Sequence, residues 1–360
     1  MRGDTTRQVM MTATTPEQLV PMDHPIRKIK PIVDGALARL SPVFEDIYSR
    51  IGRPSIPPEH LLKAQLLVAL FSVPSARRFC DQLQYNMLFK WFLDLNIDDQ
   101  PFHASTFSKN QERLLSSEVA RLFLLEIVEE ARRQDLISSD HFSVDGTLLE
   151  AWASLKSLRR RDGDDADPPQ PGRNPSVDYR GERRTNATHA SATDPEARLA
   201  RKGPGKETRL CFTGHALMEH RNGLVVDVEV TPAAGVPEWL AALALLERLP
   251  SGGRRTVAGD RAYDNRAFVR GCRGRRITPH VAQFPKTRTR RSAIDGRTTR
   301  HLGYRESQRW RKRIEEFFGW LKTVGGGRKL RYVGTARNGM WAEMGAAAYN
   351  LVRMARLTAA

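Results

Sequence analysis

Three acidic side chains stand where a folded chain would hold a carboxylate still. Asp145 closes the alternating run His141-Phe142-Ser143-Val144 and is followed by Gly146 and Thr147. Asp260 closes the short apolar run Thr256-Val257-Ala258-Gly259. Glu315 lies within Arg311-Lys312-Arg313-Ile314-Glu315-Glu316-Phe317-Phe318-Gly319-Trp320, whose apolar residues recur at helical spacing. Carboxylate oxygens suit Mg²⁺, and Mn²⁺ shares that preference and can substitute. Two such ions about 3.5–4 Å apart can neutralise the attacking and leaving oxygens of a phosphodiester displacement. The pattern predicts that Asp145, Asp260 and Glu315 hold two Mg²⁺ ions and cut DNA.

Helical geometry separates Glu315 from its neighbour. At about 100° per residue, Arg311, Glu315 and Lys322 fall on one face of a helix read over roughly 305–323. Ile314, Phe317, Phe318 and Leu321 form the buried stripe beside it, and Glu316 points further into solvent. Arg311 and Lys322 would hold DNA phosphate next to the metal. Asp264 is the alternative to Asp260, but it also fits as the cap of a following helix.

The elements that must position these acids are legible in outline. The strand ending at Asp145 is expected to turn at Gly146. Residues 156–207 are dense in Gly, Pro and charge and read as a long flexible insertion. Leu210–Met218 and Leu224–Val230 flank Asn222-Gly223, a two-residue hairpin signal. Asp227 and Glu229 are expected on the solvent face of the second strand. A helix from Trp239, the strand ending at Asp260, a helix, a strand near 276–282 and the 305–323 helix follow. That order fits a mixed sheet flanked by helices, with Asp145 and Asp260 at one sheet edge.

The first third is helical in pattern. Residues 1–20 read as a loose tail and 21–135 as an all-helical domain for DNA binding or dimerisation. Ser105 is placed as the cap of a helix over 105–115, with Ser105, Lys109 and Arg113 as candidate DNA contacts. The chain has a formal charge of +17, and its excess is confined. Residues 251–360 hold 26 Lys+Arg against 7 Asp+Glu, whereas residues 1–250 hold 32 against 34. A basic last third on a near-neutral body reads as a polyanion-binding face. No apolar run is long enough to span a bilayer. Cys80, Cys211 and Cys272 are odd in number and far apart in sequence. They offer neither a disulfide framework nor a zinc site, and the chain reads as cytoplasmic.

Taken together, these motifs resemble bacterial insertion-sequence transposases of the IS-five type, within the DDE group. The resemblance runs from about Val20 to Leu357. It is carried by Asp23-His24-Pro25-Ile26-Arg27, Ser105-Thr106-Phe107-Ser108, Val144–Ser154, Thr193–Arg198, Gly259–Asp264 and Arg311–Lys322. The family signature of Tyr, Arg, Glu and Lys is met at Arg311, Glu315 and Lys322. Gln308 occupies the Tyr position, and Tyr304 lies one turn earlier.

The resemblance implies an α/β fold with an RNase H-like mixed-sheet catalytic core over 136–335 and a C-terminal helix over 336–360. It implies hydrolysis at transposon ends, attack of the freed 3′-OH on target DNA, and a homodimer or larger assembly on double-stranded DNA in the bacterial nucleoid. An RNase H-like nuclease that does not join strands, or a repressor-like protein without chemistry, are the alternatives.

Overall fold

Seven helices precede the first strand in the computed structural model, which describes residues 14–48, 55–116, 118–161, 184–285 and 291–358. They are α1 (Pro16–Leu19), α2 (Ile26–Ile47), α3 (Pro58–Leu70), α4 (Ala76–Leu83), α5 (Met87–Phe92), α6 (Ala104–Ser116) and α7 (Val119–Arg133). Side-chain oxygens start two of them. Ser75 Oγ accepts from Arg78 N–H at 3.1 Å, and Asn86 Oδ1 accepts from Phe89 N–H at 3.2 Å.

Two expectations for this region need correcting. Residues 14–20 are not loose, because Glu17 accepts hydrogen bonds from the Arg27 guanidinium and the Trp91 indole. Residues 1–13 lie outside the described residues. Ser105 is not the cap of α6, since the helix begins one residue earlier and the Ser105 hydroxyl pairs with His103 Nδ1 at 2.8 Å.

The sheet begins with β1 (His141–Glu150), followed by β2 (Leu158–Arg160), β3 (His189–Ser191), β4 (Arg198–Ala200), β5 (Arg209–Glu219) and β6 (Val225–Pro232). Then come α8 (Glu238–Glu247), β7 (Arg255–Gly259), α9 (Arg266–Gly274), β8 (Ile277–Val281), α10 (Gly296–Thr299), α11 (Leu302–Trp310), α12 (Arg313–Thr323) and α13 (Thr335–Leu357). The main sheet runs β5-β1-β7-β8, with β4 and β6 sharing the other edge of β5. β5 is antiparallel to both β1 and β6, while β7 and β8 run parallel to β1. Three antiparallel strands followed by two parallel ones make an RNase H-like core.

β1 does not turn at Gly146. Its pairing with β5 is unbroken from Phe142↔Glu219 to Glu150↔Cys211, so an eleven-residue partner carries it straight through the acid. The β5–β6 connection is also wider than the two-residue turn expected at Asn222-Gly223. Glu219 N–H donates to the Leu224 carbonyl. The fully buried Glu219 carboxylate accepts backbone N–H groups from Arg221, Asn222 and Leu224 and so holds the loop.

The predicted insertion is ordered at both ends. β2 pairs with β3, β4 pairs with β5, and Asp194 and Glu196 accept hydrogen bonds from Gly334 and Thr335 at the start of α13. Residues 162–183 lie outside the described residues.

Asp227 is buried rather than solvent-facing, because Arg248 donates to it at 2.6 Å. The sheet face bearing β6 is covered by α13, which packs on β6 and on α7 together. That packing joins the helical region and the sheet in one apolar core. The buried Asn350 amide completes the seam, accepting from Val225 N–H at 2.8 Å and donating to Val225 O at 2.7 Å.

Candidate active site

Register places the first two acids side by side. β1 and β7 pair in parallel through His141↔Thr256, Phe142↔Val257 and Ser143↔Ala258. Asp145 and Asp260 each lie two residues past the last pair, at one level of strands about 4.8 Å apart. β7 ends there because Asp260 turns to cap a 3-10 turn, its Oδ1 accepting from Ala262 N–H at 2.7 Å. β1 continues, so the acids flank the point where the two strands part.

Asp145 is half-buried, and its Oδ1 accepts from its neighbour Gly146 N–H at 2.9 Å. Burial pushes its pKa up to about 7. The negative charges of Asp260 and Glu238 push the same way, against the Gly146 N–H and the Arg311 charge. Asp264 is engaged elsewhere. It is 3 % exposed and accepts from Phe284 N–H, Ser292 Oγ and Ala293 N–H at 2.8, 3.1 and 2.7 Å. It ties down the segment after β8 and does not cap α9, whose cap is Asn265.

Glu238 was missed in the sequence. It is the first residue of α8, half-buried, and its pKa is raised by burial and then by the Asp260 charge. A glutamate at a helix start reads as ordinary complement to the helix dipole. The available signal was topological. β6 runs parallel to β1, so the helix that follows it starts at the sheet end where β1 and β7 carry their acids. Tyr263, 1 % exposed, has its phenol pKa held well above the ordinary value by burial and then by the charges of Asp145, Glu238 and Asp260.

The third predicted acid sits on a helix that is broken. The expected 305–323 helix is two, α11 and α12, with a turn at 311–312. α11 is fastened to the end of β8. Tyr304 OH donates to the Val281 carbonyl at 3.0 Å, and Gln308 Nε2 donates to the His280 carbonyl. Arg311 follows, half-buried, its Nε donating to Gln308 Oε1 at 3.0 Å. In α12, Ile314, Phe317, Phe318 and Leu321 are buried. Lys322 Nζ donates to Thr147 Oγ1 at 2.6 Å. Burial lowers its pKa, with Lys202 adding to the effect and Cys211 and Asp145 opposing it.

Arg311 and Lys322 therefore both border Asp145. Glu315 is exposed between them in sequence, whereas Glu316 turns toward α13 and meets Arg353 at 3.5 Å.

The remaining candidates are not gathered at the acids. Ser105 and Lys109 are exposed on α6, which packs on α3, α4 and α7. The Arg113 side chain lies outside the described residues. Two histidines of the sheet that were not site candidates, His141 and His215, are bound to Thr256 Oγ1 and Thr231 Oγ1 at 2.8 and 2.9 Å.

The donor chemistry fits a hard divalent cation. Asp145 and Asp260 offer oxygen ligands alone, and the charges acting on the half-buried Asp145 include one further carboxylate, Glu238. The three predicted acids are not drawn together as a set. Among the described residues no group of three or more His, Cys, Asp or Glu side chains is arranged to hold an ion.

Residues 14–113 match the family described as Transposase domain (DUF772), and residues 183–351 match the family described as Transposase DDE domain. No curated protein matches the chain. Among solved structures it is similar to the piggyBac transposase synaptic complex with hairpin DNA, at 10% identity and TM-score 0.43, over 93% of this chain and 76% of that one. It is also similar to the Mos1 strand transfer complex, at 10% identity and TM-score 0.20, over 84% and 79%. Overlaps this loose add nothing to the strand order already described. The two family matches, one on the helical region and one on the sheet and its helices, show that the chain belongs to the DDE transposases of insertion sequences and is a metal-dependent DNA transposase.

Proposed function

We propose that Asp145, Asp260 and Glu315 are the catalytic acids and hold Mg²⁺, as a pair of ions. The observation that carries this reading is the β1–β7 register, which sets Asp145 and Asp260 at one level where their strands part. When bound, the ions would neutralise the scissile phosphate and lower the pKa of the attacking water. Arg311 and Lys322 hold DNA phosphate beside the acids, and Glu315 joins from α12. Water adds to phosphorus at a transposon end and the P–O3′ bond breaks, leaving a 3′-OH. That hydroxyl then attacks a target phosphate and displaces the target 3′ oxygen.

The protein is of the IS-five type, acts as a homodimer or larger assembly when it pairs two ends, and works on nucleoid DNA. Ser105, Lys109 and Arg113 are DNA contacts of the helical region. The test incubates the full chain with supercoiled plasmid carrying the element ends and Mg²⁺. End-specific nicks followed by joined products are expected, and both disappear in Asp145→Asn and Asp260→Asn. Binding of the ends without nicks would overturn the assignment, and nicks without joined products would leave a nuclease.

A further inference from the structure

We propose that Glu238 is a fourth acid of the metal centre, set against the Asp145 strand by the start of α8, where it accepts hydrogen bonds from water bound to the divalent cation. The inference rests on the metal-site reading above. Its basis is a close approach of backbone and carboxylate. A Cβ on Gly146 would lie 3.1 Å from Glu238 Cδ and 3.2 Å from Oε1. Glycine at 146 leaves room for the carboxylate to lie against β1 at the residue that follows Asp145.

Three features hold it there. Pro237 sets the α8 start, with φ −59° and ψ 136°. α8 packs on β1 and on the 3-10 turn that Asp260 caps. The helix N-terminus favours a negative charge at that place. Among the described residues, the charged neighbour acting on Glu238 is Asp260, another acid. A half-buried carboxylate among like charges is costly unless a cation joins them.

The approach of Glu238 is to Gly146, one residue past Asp145, so the role assigned is an outer one. Mg²⁺ keeps several of its waters, and an acid one step further out can bind those. Residues so placed commonly change metal affinity about 10–100-fold.

The experiment measures Mn²⁺ binding to the full chain without DNA, by electron paramagnetic resonance of free Mn²⁺, for wild type, Glu238→Gln, Gly146→Ala and Asp145→Asn. Circular dichroism accompanies each. Glu238→Gln is expected to weaken Mn²⁺ binding about tenfold with the fold intact. Gly146→Ala, which keeps the acid but moves it, is expected to weaken binding as well. Loss of binding in Asp145→Asn with unchanged affinity in Glu238→Gln and Gly146→Ala would overturn the Glu238 role and leave the metal site standing. Unchanged affinity in Asp145→Asn would overturn the metal-site reading and this inference with it.

Discussion

Lys322 Nζ donates to the Thr147 hydroxyl at 2.6 Å, and Thr147 stands two residues past Asp145 on the same face of β1. A long, flexible side chain is thereby fixed beside the acid before DNA arrives. The expected consequence is a split between two substitutions. Lys322→Met removes the charge and should slow single-turnover nicking by about 100–1000-fold, the range typical of losing one electrostatic stabiliser. Thr147→Val keeps the charge and frees it, so the loss should be several-fold smaller. Equal rates for Thr147→Val and wild type would show that the hydroxyl does not position the ammonium.

Glu315 and Glu316 are adjacent and both exposed, and of the two only Glu316 has an ion pair among the described residues. Glu316 spends its charge on an exposed pair with Arg353 at 3.5 Å, a contact worth under about 1 kcal/mol. Glu316→Gln should therefore leave cleavage and melting temperature close to wild type. Glu315→Gln should abolish cleavage while binding of the ends survives in a gel-shift assay. The opposite pattern would reject Glu315 as the third acid.

Asp145 makes a stability prediction with a defined sign. Its pKa rises from 3.8 to about 7 in the folded chain, chiefly through burial. The folded state thus holds this proton more tightly than the unfolded state. Stability falls as pH rises from about 4 to about 7, and the full penalty is present above 7. The upper bound on that penalty is about 4 kcal/mol. In chelator at pH 8, Asp145→Asn should melt above wild type, and the gap should close toward pH 4. Mg²⁺ at pH 8 should raise the wild-type melting temperature and leave the variant unmoved. A gap independent of pH would refute the assignment of the raised pKa to this carboxyl.

The charge distribution predicts a salt response. If the basic residues of 251–360 contact DNA phosphate, log affinity should fall linearly and steeply with log salt. Replacing Arg311 or Lys322 should reduce that slope by about one unit each. A flat response in wild type would remove phosphate contact as the source of binding.

The elements that carry the proposed acids were legible because each is a strongly patterned segment. Alternation located the β1 and β7 strands, and helical spacing located α12. The choice of Asp260 over Asp264 agrees with what the fold does with Asp264, which spends its carboxylate on three donors after β8. What failed were boundaries set by partners distant in sequence. Gly146 is a turn residue by local rules, but β5 pairs straight through it. Asp227 alternates outward, but Arg248, the residue that follows α8, and the packing of α7 and α13 enclose it. Glu238 was invisible for the same reason, since its meaning comes from the level at which α8 meets β1.

Glu343 provides a control for the acid chemistry of Asp145, because it has a similar shift and its charged neighbours do not include the β1–β7 acids. It lies half-buried on α13 in a cleft of about 360 Å³ lined also by Arg121, Arg248 and Glu118. Burial raises its pKa to about 7, with Asp227 and Glu118 adding to this and Arg121 and Arg248 opposing it. The ordinary glutamate value is 4.5, so the stability penalty grows from about pH 4.5 to 7 and is bounded by about 3 kcal/mol. Glu343→Gln should therefore melt above wild type at pH 8 and near it at pH 4.5, as Asp145→Asn does. The two should part when Mg²⁺ is added. The cation should erase the advantage of Asp145→Asn by stabilising wild type through its bound acids. Glu343→Gln retains Asp145 and Asp260, so Mg²⁺ should raise variant and wild type equally and leave the gap intact. A Mg²⁺-dependent gap in Glu343→Gln would mean that the cation acts through general screening rather than at the β1–β7 acids.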